Sequence, residues 1–290
     1  MTAVSLIGLA TALVVVAGPL ALWLAGWFRP SRPDQAPPAH WDWKLTLMSA
    51  LLYVLAFNLT FFIQELFLVL PKAFTPGLRP TLFHNNHSWE GISPLASLFQ
   101  GTGAIATLAS GIVCALLLQR GRSRPAAISL FLFWMGFSGI FMALPQIVIG
   151  AISSQSDLGM FMGYFELGAS AKAALALIAL VLIPCAAEWL RSLLPRERRQ
   201  DVFRFVTLPA LLALPFITLF RMPREWIEVL MVPSVVTFIG VAWIQAGSWR
   251  ARPAADRSRA ASTSLARPLG LVLCLLLLFQ LVLRPGIHFY

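Results

Sequence analysis

The feature that most constrains the fold is a series of apolar runs, each long enough to cross a lipid bilayer. Eight such runs recur along the chain, at about residues 4–28, 45–70, 95–118, 126–150, 161–190, 203–220, 226–247 and 268–284. A helix of about 20 apolar residues spans the hydrocarbon core, where it satisfies its own backbone hydrogen bonds. The sequence therefore predicts an all-α fold, a polytopic transmembrane helical bundle of about eight spans in one domain over 1–290. Seven spans is the alternative, because the sixth and eighth runs are short.

The composition excludes a water-soluble protein and argues against a nucleic-acid partner. Hydrophobic residues make up 58% of the 290 residues and charged residues only 12%, whereas about a quarter of a soluble domain is charged. Most of the surface must therefore face the lipid bilayer. The net charge of +10 comes from short arginine clusters between apolar runs, which is typical of cytoplasmic loops rather than of a nucleic-acid-binding surface.

The distribution of lysine and arginine predicts the orientation in the membrane. If the N-terminus is outside, the first, third, fifth and seventh loops carry three, three, five and five basic residues, and the outer segments carry five in all. Cytoplasmic loops hold the excess of positive charge. The sequence therefore predicts a multi-pass protein of the cell (inner) membrane with both termini outside. Two loops are predicted to be linkers, the proline-rich stretch 29–38 and the basic stretch 250–267.

Several polar residues interrupt the apolar runs and are candidates for a functional site. Asn58, Gln64 and Glu65 lie in the second run, "NLTFFIQELFLVLPK" (58–72), and Glu166 and Lys172 lie in the fifth. An ionisable side chain inside a membrane is costly unless it is paired, protonated or hydrated. The predicted topology places the acidic residues of this set near the outer side. We therefore expect a hydrated pocket that opens outward, with these five residues as ligand or relay candidates and with Lys172 paired to Glu65.

Two histidines in the following loop, "HNNHSWEG" (84–91), are candidate metal ligands. If the loop formed a helical turn, the i, i+3 spacing of His84 and His87 would let both rings reach one divalent cation such as zinc, with Asp157, Glu65 or Glu90 completing the site. The Asn-Asn pair between them favours a turn over a helix. The histidines also suit a purely interfacial role beside Trp89, and both interpretations stay open.

Three segments in order resemble site-2-type intramembrane zinc metalloproteases. "FFIQELFLVL" (61–70) is similar to the HExxH helix of that family, with Glu65 at the general base, and "FQGTGAIATLASGIVCALLL" (99–118) to the glycine-rich helix that follows. "WMGFSGIFMALPQIVIGAISSQSDLG" (134–159) places Asp157 where the family has its acidic ligand. Gln64 and Leu68 stand at the two histidine positions. The resemblance therefore implies a relative that kept the scaffold and lost proteolysis, and we assign no catalytic residue.

Three functions follow as hypotheses. The first is a non-proteolytic membrane protein whose outward-facing pocket binds a small ligand or a membrane-protein partner. The second is a small transporter that uses Glu65, Glu166 and Lys172 as a proton or ion relay. The third is a metal-dependent membrane hydrolase that uses His84, His87, Glu65 and Asp157.

Overall fold

The computed structural model describes residues 2–28, 41–121, 124–194, 202–250 and 264–290. In this part of the chain there are ten helices and three short strands. The helices are α1 (Ala3–Trp27), α2 (Trp43–Ala73), α3 (Leu95–Phe99), α4 (Thr102–Arg120), α5 (Ala126–Ile152), α6 (Asp157–Tyr164), α7 (Ala169–Leu193), α8 (Phe203–Arg221), α9 (Trp226–Ala246) and α10 (Ala266–Leu283). The strands are β1 (Arg79–Leu82), β2 (His87–Glu90) and β3 (Ile287–His288). The linker predicted at 29–38 and most of the one predicted at 250–267 lie outside the described residues.

Among the described residues, eight helical segments are long and apolar enough to cross a membrane, which confirms the all-α transmembrane bundle and the eight-span count. They are α1, α2, α3 with α4, α5, α7, α8, α9 and α10. The fifth span was predicted to begin near residue 161, and this boundary is wrong. The segment from Asp157 to Tyr164 forms the separate helix α6, and Glu166 then takes a left-handed backbone with φ 52°. This turn breaks the helix, so the span begins only at Ala169.

The helices α2 and α5 form the centre of the bundle. In the apolar stretch of each span, 72% of the residues of α2 and 67% of those of α5 are buried within the protein, against 11% for α1 and 28% for α10. Helix α2 packs against α4, α5, α8 and α10. Polar side chains in the middle of α2 therefore face other helices rather than lipid.

Helices α4 and α5 approach closely where two glycines meet. A Cβ atom on Gly139 would lie 2.6 Å from Gly111 Cα and 2.6 Å from the Thr107 carbonyl oxygen. Both contacts are with backbone, which cannot move aside as a flexible side chain would. Small residues at such crossings let membrane helices gain van der Waals contact.

We expect Gly139→Ala to lower the free energy of unfolding by about 1–3 kcal/mol, the usual cost of overpacking. The measurement is the melting temperature of the purified protein in detergent. The matched control is Gly270→Ala in α10, where an added Cβ would meet no atom within 4 Å. There the change should be neutral or stabilise by up to about 1 kcal/mol, because alanine favours helix over glycine. Equal losses in both variants would show that the α4–α5 contact is not tight.

The even-numbered loops and the C-terminus gather at one end of the bundle, which we call the hairpin end. It comprises residues 74–94, 153–168, 222–225 and 284–290. Strand β1 pairs antiparallel with β2 and also with β3, so the C-terminal strand joins the hairpin that follows α2. The loops that the predicted topology places on one side of the membrane therefore lie together at one end of the bundle.

The tip of the β-hairpin is held against the loop between α8 and α9. The Asn85 side-chain amide donates to the carbonyl oxygens of Arg221 (2.7 Å) and Pro223 (3.3 Å). Arg224 donates from Nη1 to the Asn85 carbonyl oxygen at 2.6 Å. The Asn-Asn pair lies in the turn between β1 and β2, as the turn preference predicted.

Candidate functional site

A buried carboxylate–imidazole pair lies where the β-hairpin folds back onto α2. His87 Nδ1 is 2.8 Å from Glu65 Oε2, and both side chains are only 6% exposed. Because the carboxylate can only accept, the Nδ1 atom carries the hydrogen and donates it. Glu65 lies about 12 Å along the axis from the end of α2 at Ala73. The pairing reduces the cost of burying the carboxylate at this depth.

A buried lysine lies beside this pair. Lys72 is completely buried, and its ammonium donates to the Leu68 carbonyl oxygen (2.8 Å) and to Gln100 Oε1 (3.3 Å). Its Nζ lies 4.5 Å from the centre of the Trp89 ring, and Trp89 stacks on His87 with ring centres 5.8 Å apart. Lys72 was predicted only as a basic residue at the outer end of the span. Its i+7 position relative to Glu65, which places both on one helical face, was the signal that could have found it.

Arg221 supplies a second buried cation from the end of α8. The residue is 2% exposed, and its guanidinium carbon lies 4.0 Å from the centre of the Phe61 ring. Within the described residues its Nε and Nη1 atoms are buried without a hydrogen-bond partner. Glu65 is near enough to attract it electrostatically. From the sequence alone, Arg221 contributes only to the predicted orientation, as one of the five basic residues of the outer segments.

Asp157 borders the cluster from the start of α6. It is half-buried and interacts electrostatically with His87, Glu65 and Lys72. Burial raises the pKa of the Asp157 carboxyl above its usual range, and the nearby Glu65 acts in the same direction, while His87 opposes them. Ser156 caps the N-terminus of α6, and its hydroxyl accepts a hydrogen bond from the Gly159 amide at 3.2 Å. The neutral acid is therefore favoured more strongly in the folded protein than in the unfolded chain.

A raised pKa gives a pH dependence of stability with a definite sign. At a pH above the raised pKa, the folded state carries a half-buried negative charge. As the pH falls below that pKa, the folded state takes up a proton more readily than the unfolded chain. The contribution of Asp157 to stability should therefore increase as the pH falls toward the carboxyl's ordinary value of 3.8. We expect Asp157→Asn to raise the melting temperature at pH 7 and to lose this advantage in acid. A variant less stable than the wild type at both pH values would contradict the assignment.

His84 and His87 point to different partners. His84 Nε2 lies 3.1 Å from the Met222 carbonyl oxygen, while His87 faces Glu65. Burial lowers the pKa of His84, and Arg284, Arg221 and Arg224 act in the same direction. The residues between His84 and His87 form the turn of a β-hairpin. The predicted metal site required a helical turn there.

The predicted metal site has no geometric support. Among the described residues no group of three or more histidine, cysteine, aspartate and glutamate side chains is placed to hold a metal ion. The set His84, His87 and Asp157 therefore stays a prediction from sequence, and we propose no zinc or other divalent metal there.

The remaining candidates differ in their surroundings. Gln64 accepts from Gln146 Nε2 at 2.8 Å, which ties α2 to α5. Asn58 is 1% exposed, and its amide donates to the Val54 carbonyl oxygen of the same helix at 2.8 Å. Glu166 is exposed in the turn before α7. Their roles as ligand residues stay predictions.

The ion pair predicted between Lys172 and Glu65 does not form in the described structure, because Glu65 pairs with His87. The physical reason is the shifted start of the fifth span. With α7 beginning at Ala169, Lys172 lies in its first turn instead of deep within the membrane.

Comparison with protein-family models, with characterised proteins and with solved structures found no match to this chain. The fold therefore defines only a broad class, that of multi-pass α-helical membrane proteins. Within that class, its distinguishing feature is the cluster of Glu65, His87, Lys72 and Arg221, which we call the polar cluster.

Proposed function

We propose that the polar cluster is a binding site, open toward the hairpin end, for a small polar ligand or for a polar group of a membrane-protein partner. The observation that carries this proposal is the set of buried polar atoms that lack hydrogen-bond partners. Of the five such atoms in the described part of the chain, four belong to this region: His84 Nδ1, His87 Nε2, Arg221 Nε and Arg221 Nη1. An unsatisfied buried polar group costs about 1–3 kcal/mol, and a bound ligand would supply the missing partners.

Gln64 and Leu68, which stand where the resemblance would place the two HExxH histidines, support a non-proteolytic role. Gln64 is hydrogen-bonded to Gln146. Leu68 packs so closely against Gly103 that a Cβ atom on Gly103 would lie 2.7 Å from Leu68 Cγ. Neither residue offers the imidazole that would hold a catalytic zinc. Descent from a site-2-type protease scaffold stays a hypothesis, and we propose no hydrolase activity.

The orientation belongs to the same proposal. The excess of lysine and arginine lies in the loops opposite the hairpin end, so the positive-inside rule places the hairpin end outside the cell membrane. Both termini would then face outward, and the polar cluster would be reached from the outer side of an inner membrane.

Cysteine accessibility tests both the site and its orientation. Trp89→Cys, at the position whose ring contacts Lys72 and His87, is introduced after Cys114, Cys185 and Cys274 are replaced with serine. Intact spheroplasts are then treated with small, charged, membrane-impermeant methanethiosulfonate reagents. We expect labelling from outside, because a hydrated pocket ionises and exposes the thiol. Labelling only from the cytoplasmic side would reverse the orientation.

Two further positions serve as controls. Ser88→Cys, exposed on the hairpin, should label readily from outside. Ile178→Cys, 56% exposed on the lipid-facing side of α7, should resist charged reagents from either side. If Ser88→Cys reacts while Trp89→Cys stays as inert as Ile178→Cys, the cluster is not an open site and the proposal is wrong.

The Glu65–His87 pair favours proton-coupled transport as a second candidate. A buried carboxylate hydrogen-bonded to an imidazole within a membrane helix is a common element of proton relays. We expect Glu65→Gln to abolish proton flux into liposomes that hold a pH-sensitive dye, compared at equal amounts of folded, reconstituted protein. Wild-type liposomes without flux above that of empty liposomes, across a panel of solute gradients, would exclude this candidate.

A further inference from the structure

The polar cluster holds more buried positive charge than its carboxylates pair. The ion pairs in the described part of the chain are Glu65 with His87, Glu188 with Arg191 and Arg250, and Arg224 with Glu228. Lys72 and Arg221 belong to none of them. A buried charge without a close counter-charge costs several kcal/mol, so this arrangement is incomplete by itself.

Carboxylates attract both cations without forming an ion pair with either of them among the described residues. Lys72 comes from α2 and is attracted by Asp157 and, less strongly, by Glu65. Arg221 comes from α8 and is attracted by Glu65 and, less strongly, by Glu228. Glu65 is already bonded to His87 and Glu228 to Arg224, so neither carboxylate is reserved for Arg221.

The hairpin fixes the position of Arg221 without satisfying its side chain. Asn85 donates to the Arg221 carbonyl oxygen at 2.7 Å, and Gln280 donates to the neighbouring Phe220 and Met222 carbonyl oxygens. The ring of Phe61 supports one face of the guanidinium. The Nε and Nη1 donors are buried and without an acceptor within the described residues, although a guanidinium has only donors to offer. The side chain is therefore held in place and lacks an acceptor.

We infer that the polar cluster takes a ligand with an anionic oxygen group, a carboxylate or a phosphate, which the Arg221 guanidinium binds and the Lys72 charge attracts. The inference rests on the proposed binding function and specifies its ligand class. Guanidinium donors form strong charge-assisted hydrogen bonds to such groups. Because Arg221 lies at the end of a membrane span, the same chemistry is offered by a soluble anion and by the phosphate of a lipid headgroup.

Binding is measured as the change in melting temperature of the protein in dodecyl maltoside, a detergent that contains no phosphate. One arm adds inorganic phosphate, acetate or citrate, and the other adds phosphatidylglycerol to the micelles, both at constant ionic strength. A saturable rise with a soluble anion identifies a soluble ligand, and a rise only with phosphatidylglycerol identifies a lipid headgroup. No rise in either arm overturns the inference.

Variants show whether the rise depends on Arg221. Arg221→Gln should abolish it, and Arg221→Lys, which keeps the charge but loses the planar donors, should weaken the apparent affinity by about tenfold or more. The control is Arg79→Gln. Arg79 is an exposed arginine on strand β1 of the hairpin, and its replacement should leave the rise in melting temperature unchanged. An equal response of Arg221→Gln and Arg79→Gln would place the anion elsewhere and contradict the inference.

A second measurement uses the wild-type cluster and does not depend on the folding of an Arg221 variant. At Trp89→Cys, beside Lys72, the anionic sulfonate reagent should react faster, relative to the cationic reagent, than at Ser88→Cys, by about tenfold or more because a charged cleft concentrates counter-ions. Phosphate or phosphatidylglycerol should slow the reaction. If Trp89→Cys reacts from outside without this preference or protection, the open site stands and the anionic ligand class is wrong.

Discussion

His87→Ala is expected to lower the free energy of unfolding by about 3–5 kcal/mol, the cost of leaving one partner of a buried pair behind. The Glu65 carboxyl, 6% exposed, would lose the hydrogen-bond partner that lies 2.8 Å away. For a chain of this size that loss corresponds to a fall in melting temperature of about 5–15 °C. Thermal unfolding of the purified protein in detergent measures it.

The matched control is His288→Ala, on strand β3 of the same sheet. His288 is exposed and bonds to the Thr81 hydroxyl at 3.0 Å, so its loss should cost less than about 1.5 kcal/mol. A double-mutant cycle with Glu65→Ala should give a coupling energy of about 0.5–3 kcal/mol. Additive effects of His87→Ala and Glu65→Ala would show that the pair does not hold the hairpin to α2.

Trp134→Ala is expected to lower the free energy of unfolding by about 3–5 kcal/mol, as large truncations in close-packed cores do. Trp134 is completely buried in α5, its ring lies 4.3 Å from that of Tyr53 in α2, and its Nε1 donates to Ser49 Oγ at 3.0 Å. In a bilayer the loss comes from van der Waals contacts and this hydrogen bond, because lipid tails offer no hydrophobic driving force between helices.

The corresponding control is Trp27→Ala at the end of α1, where the side chain is 65% exposed. We expect a change within about 0.5 kcal/mol there, as for surface substitutions in general. A Trp134→Ala variant as stable as Trp27→Ala would show that the α2–α5 contact does not determine the stability of the bundle. The polar cluster depends on this contact, because α2 carries Glu65 and Lys72.

The hairpin end explains how a chain rich in apolar residues can keep several charged side chains inside. Strands β1 and β2 lie over the end of α2 and supply His87, the last residue of α8 is Arg221, and the loop after it supplies Arg224. Surrounding protein, and not only distance from the centre of the bilayer, keeps each of these groups out of contact with lipid. A binding site at this position would be formed jointly by α2, α8 and the hairpin.

The sequence by itself determined the class of the protein and the position of its spans. Runs of about 20 apolar residues leave a helix as the structure that satisfies the backbone within lipid, so the eight-span bundle was predictable within a few residues. Glu65 was also predictable as a site candidate, because a carboxyl inside an apolar run requires a compensating partner. The start of the fifth span was not, since the left-handed turn at Glu166 lies within an apolar run and leaves no sign in hydropathy.

Only the tertiary structure decided which partner each polar residue found. Glu65 is 22 residues from His87 and more than 150 from Arg221, and sequence spacing carries no information about contacts of that range. The predicted partner was Lys172, whereas the β-hairpin brought His87 to Glu65, and the end of α8 brought Arg221. The three-stranded sheet that makes this possible joins residues 79–82, 87–90 and 287–288. Its strands are too short to show a pattern of their own, so their pairing depends on the packing of the helices that they connect.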